Sequence, residues 1–116
     1  MIIMENESGR ISMTDGVFTD LAGEAATSCF GVKGMVECSK ENGRWQLLRR
    51  ESMSKGVCVN SNDDGSVSIE LHIGVDHGVP ISTIAGSIME EVKYKLEKST
   101  GVKLKNVDVY VDTIIG

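Results

Sequence analysis

With 116 residues, 41% of them hydrophobic, the chain has the size of one domain whose core needs no disulfide staples. A net charge of -5 argues against a protein that coats DNA through its overall field, because phosphate binding calls for an excess of Lys and Arg. Three cysteines, Cys29, Cys38 and Cys58, without CxxC spacing read as free thiols of a reducing compartment, with the cytoplasm as the default.

Met1-Ile2-Ile3-Met4 is too short for a signal peptide and has no basic run before it, and no stretch approaches the length of a membrane span. Residues 1–8 read as a frayed tip, and Arg10-Ile11-Ser12-Met13 as a short strand of alternating polarity. Thr14 can cap a helix that carries Asp15 in its first turn. Val17, Leu21, Ala25 and Cys29 then follow at intervals of four, joined by Ala22 and Ala26. Gly31 stops the helix, and Val32 to Cys38 reads as a strand.

Residues 39–56 are the least regular part. Lys40, Arg44, Arg49, Arg50 and Lys55 outnumber Glu41 and Glu51, so this insert carries +3 and the rest of the chain -8. It also holds the single tryptophan, Trp45, beside Leu47 and Leu48. Val57 and Val59 then start a long hairpin that turns at Asn62-Asp63-Asp64-Gly65 and returns through Val67, Ile69, Leu71, Ile73 and Val75. Pro80 opens a second helix of about five turns. Ile81, Ile84, Ala85, Ile88, Val92 and Leu96 lie on one side of it, Glu91 and Lys95 pair on the other, and Gly101 closes it. Val107, Val109 and Val111 alternate with Asp108, Tyr110 and Asp112 in a last strand, followed by a tail at 113–116.

The order β-α-β-β-β-α-β predicts an α+β two-layer sandwich, a mixed sheet of about five strands with two helices on one face. Two helices cannot cover both faces, so the other face is expected to be polar, with Glu70, His72, Asp76, Asp108, Tyr110 and Asp112. Residues 9–112 are read as a single domain.

The order and spacing of Gly9-Arg10-Ile11-Ser12-Met13, Gly31-Val32-Lys33-Gly34-Met35, Ser54-Lys55-Gly56-Val57 and Gly78-Val79 resemble a known family, as do Thr100-Gly101-Val102 and Asn106-Val107-Asp108-Val109. It is the alkaline shock protein, or Gls-type general stress, family of mainly Gram-positive bacteria, and the resemblance covers about residues 7–112. The chain departs from it at Thr14-Asp15 and at Ser82, where the family often has proline. The resemblance implies a small cytoplasmic protein without established catalytic activity, linked to cell-envelope stress. Some members are held at the inner face of the membrane by an anchoring partner, and some are associated with control of fatty-acid synthesis.

From the residues themselves, the basic insert is the candidate docking element, with Arg44, Trp45, Leu47, Leu48, Arg49 and Arg50 of the types enriched at interfaces. The expected function is a non-enzymatic adaptor that binds a protein partner, with self-association left open. The alternative is a small enzyme or ligand-binding module that uses Cys58, His72 and Tyr110 on the polar sheet face, and an RNA-binding module is weaker still. No metal or cofactor is expected. His72 and His77, five apart on a strand of period two, face opposite sides and cannot clasp one ion, and phosphate-binding glycine loops are absent.

Overall fold

The computed structural model describes residues 1–38, 45–48 and 54–115, without the side chains of Cys38, Trp45 and Gln46. The elements run β1 (Ile2–Asn6), β2 (Gly9–Met13), α1 (Asp15–Thr27), β3 (Val32–Cys38), β4 (Trp45–Leu47), β5 (Val57–Ser61), β6 (Val67–Asp76), α2 (Ile81–Thr100) and β7 (Leu104–Ile115). Both helices lie on one face of a mixed five-stranded sheet, the expected α+β arrangement.

The sheet is built on β6, whose inward residues Val67, Ile69, Leu71, Ile73 and Val75 are all fully buried. β7 runs parallel to it along its whole length. β5 pairs antiparallel with residues 67–71 and β3 with residues 73–75. Since each residue of β6 has only two edges, β5 and β3 share one edge in tandem and β7 takes the other. The crossover from β6 to β7 is α2, the usual solution for joining parallel neighbours.

Two differences from the sequence reading offset each other in the strand count. Residues 10–13 stay out of the main sheet and pair with β1 in a hairpin, so the first eight residues hold a strand where a frayed tip is expected. An Asx turn closes this hairpin, with the Ser8 N–H donating to Asn6 Oδ1 at 2.8 Å, and Ile2 reaches the core at 5% exposure. The fifth strand of the main sheet is instead β4, from inside the basic insert, paired with β3. At the other end β7 extends through Ile115, into the expected tail.

In α1, Thr14 occupies the capping position but its side chain makes no capping hydrogen bond. Of the expected stripe Ala22, Ala25 and Ala26 are buried and Leu21 and Cys29 pack half-buried against the core, but Val17 is exposed, and Phe18 and Gly23 complete the buried side. Phe18 decides the phase, because it is the largest apolar side chain of the helix. Gly31, at φ +86°, then turns the chain in a left-handed conformation, where a Cβ would also push aside the end of the Ile84 side chain.

α2 follows its sequence pattern closely. Ile84, Ile88, Val92 and Leu96 are buried, Glu91 and Lys95 form a surface pair at 3.1 Å, and Gly101 is left-handed with its N–H donating to the Glu97 carbonyl at 2.9 Å. Of the stripe, Ile81, at the exposed start, departs and Ala85 is half-buried. Around Gly86 a Cβ would meet nothing within 4 Å, so this glycine serves no close approach. Gly86→Ala is therefore expected to stabilise the protein by about 0.5–1 kcal/mol, through helix propensity and a less disordered unfolded chain. Urea denaturation checks this, and a destabilised variant would show that the helix needs the gap.

Candidate functional site

The open face of the sheet collects the chemistry-bearing groups in register. Cys58 of β5 stands opposite Glu70 of β6, Glu70 opposite Asp108 of β7, and His72 opposite Tyr110. The His72 and Tyr110 rings stack at a centroid distance of 4.8 Å and an interplanar angle of 10°. Cys58, Glu70 and His72 each offer a ligand atom, and the three atoms lie within 4.8 Å of one another.

Asp112 completes the group through an irregularity in β7. The register runs from Ile73↔Val111 directly to Gly74↔Thr113, so Asp112 is an extra residue at a bulge. Its Oδ2 lies 2.7 Å from His72 Nδ1, and both side chains are largely shielded, at 26% exposure for His72 and 13% for Asp112. A carboxylate on Nδ1 fixes the imidazole tautomer and ring orientation. Alternation along β7 puts Asp112 on the same face as His72, and the structure shows that the two side chains meet there. His77 lies past the end of β6 in an exposed turn and takes no part.

Elsewhere the open face is less polar than its residues imply. Toward the end of β6, Val36 is fully buried, and a Cβ on Gly74 would sit among Val36, Thr113 and Ile115. At the hairpin end Ser68 donates to Asn106 at 2.9 Å and Asn62 donates to Ser66 and Ser68. In the turn between β5 and β6, hydrogen bonds from the Ser66 hydroxyl and N–H hold the Asp64 carboxyl below its usual range. Cys29, at the end of α1, is separate from this face; burial first and the Glu91 charge second push its thiol up, against a smaller opposing effect of Lys95.

The basic insert is the second candidate. Arg44, Arg49 and Arg50 lie outside the described residues, and of Trp45 only the backbone in β4 is described. Leu47 is 46% exposed, while Leu48 packs against the core and its N–H donates to the Met35 carbonyl at 2.7 Å. Leu48 also lines a cleft of about 420 Å³ with Met35, Lys33, Glu24 and Thr27, between the end of α1 and β3. The insert is thus tied into the sheet at its middle, next to an open cleft. Among the described residues no helix is long and apolar enough to cross a membrane.

A family model for alkaline shock proteins, described as having a cell envelope-related function, matches residues 3–115. The chain belongs to the alkaline shock protein family. The resemblance seen in the turn glycines and valines is therefore correct, and it extends over the N-terminal hairpin as well. Among its alkaline shock protein relatives, the uncharacterized protein Spy1614 of Streptococcus pyogenes serotype M6 is 38% identical over 112 residues, 96% of this chain and 92% of that protein. The uncharacterized protein YloU of Bacillus subtilis is 30% identical over 114 residues, 97% of this chain and 94% of its own. Spy1535, also from Streptococcus pyogenes serotype M6 and uncharacterized, is 24% identical over 107 residues, 92% of this chain and 80% of its own. No solved structure matches this alkaline shock protein chain.

Proposed function

We propose that this alkaline shock protein domain is a non-enzymatic adaptor in cell-envelope homeostasis, docking a protein partner through residues 39–56. The observation that carries the reading is the inverted charge of that insert, +3 on a domain otherwise at -8, around an exposed Leu47 fixed on an edge strand. Apolar anchors framed by arginines are the composition of interface centres, and a basic segment complements an acidic surface. The cleft between α1 and β3 gives an adjoining apolar recess for a partner side chain. In this reading the protein is cytoplasmic and reaches the inner face of the membrane through an anchored partner.

Rim charges steer encounter, whereas a buried aromatic sets the lifetime of a complex. Arg49→Glu combined with Arg50→Glu should slow association in a salt-dependent manner, and Trp45→Ala should speed dissociation. Capture from membrane and soluble fractions, followed by binding kinetics with the recovered partner, measures both. Recovery of the same partners at parental rates by both variants rejects the docking role, and a collapse of stability in Trp45→Ala assigns that residue to the core.

A further inference from the structure

We propose that Cys58, Glu70 and His72 form a binding site for one divalent transition-metal ion of the zinc class, with Asp112 as the positioning residue behind His72. The expectation that no metal binds considers His72 and His77 alone, and the set assembled here includes neither His77 nor any second histidine.

The donor set is one thiol, one carboxylate and one imidazole, each a common zinc ligand, and together too soft for Mg²⁺ or Ca²⁺. In a tetrahedral zinc site, bond lengths of about 2.0–2.3 Å place donor atoms about 3.4–3.6 Å apart. The present spacing of up to 4.8 Å exceeds this by roughly one ångström, within reach of rotation about the side-chain bonds of Cys58 and Glu70. Glu70 and His72 are two residues apart on one strand and therefore share a face, while Cys58 is the cross-strand partner of Glu70, so the backbone itself fixes the triangle.

Two further features point to a cation. Asp112 lies against Nδ1, where the carboxylate stands in carboxylate–histidine–metal triads. Glu70 also stands directly across from Asp108, and like charges at facing positions destabilise a sheet unless a cation neutralises them. The line Cys58–His72–Asp112 has the order of a thiol hydrolase as well. Glu70, however, places a second negative charge beside any thiolate there, which hinders a bare nucleophile and completes a cation site. Three ligands among the described residues leave a fourth position for a further donor or water, and Cys58, exposed on β5, gives the ion its way in.

The test uses the full chain, stripped with a chelator and titrated with Zn²⁺ by calorimetry and with Co²⁺ by absorption. One ion per chain is expected, with a thiolate-to-cobalt charge-transfer band and tetrahedral ligand-field bands. Asp112→Asn should weaken binding by about 10- to 100-fold, and Cys58→Ser or His72→Gln by more than that. Zn²⁺ should also protect Cys58 of the unmutated chain from alkylation, a readout that does not depend on any variant folding. The site is overturned by absence of a 1:1 complex, by unchanged affinity in both Cys58→Ser and His72→Gln, or by Cys58 alkylation at the same rate with and without Zn²⁺.

Discussion

Truncation of Phe18 to alanine is expected to cost about 3–5 kcal/mol, the range for removing a buried aromatic ring from a packed core. Phe18 is fully buried between α1 and the sheet, in a helix whose other buried residues are alanines and a glycine. Such small neighbours have no side-chain reach with which to fill the space, so the cavity should persist and the cost should fall toward the upper end. Val17, the next residue back, is 39% exposed, and Val17→Ala should stay within about 0.5 kcal/mol. Urea denaturation of the two variants compares them directly. Equal losses would place the buried face of α1 midway between the two residues and refute the packing described above.

Ile88→Ala should cost about 2–5 kcal/mol by the same cavity argument, acting from the second helix. Ile88 is fully buried at the middle of the α2 stripe, between Ile84 and Val92, whereas Met89 beside it is 40% exposed. Met89→Ala supplies the matched surface control. A loss below about 0.5 kcal/mol at Ile88 would mean that α2 does not seat on the sheet through this face.

The contrast between the two helices shows what a sequence discloses. α2 is twenty residues long and has branched apolar residues at nearly every inward position, so its period is unambiguous and its buried face is legible in the chain. α1 has thirteen residues and a mostly alanine and glycine interior, which gives several helical phases almost equal apolar content. Only packing against the sheet selects Phe18 over Val17. Paired strands are a similar case. β6 alternates strictly and is legible, while β4 has three residues and exists because the edge of β3 offers it hydrogen bonds. The candidate metal site lies between these extremes. Cys58, Glu70, His72 and Asp112 share a face that can be read from alternation, but the one-residue bulge at Asp112 is not announced by any periodicity.

The position of β6 has a consequence for motion. Nearly all of β6 is held from both sides, by β7 along one edge and by β5 and β3 along the other, so its amide protons should reach solvent only when the whole domain opens. β5 is held to the sheet through β6 alone among the described residues, and can part from it in a smaller, cheaper excursion. Glu70 and His72 are thus on a strand expected to open late and Cys58 on one expected to open sooner. An ion bridging them would act as a clasp, slowing hydrogen exchange across the β5–β6 hairpin while leaving the helices as they were.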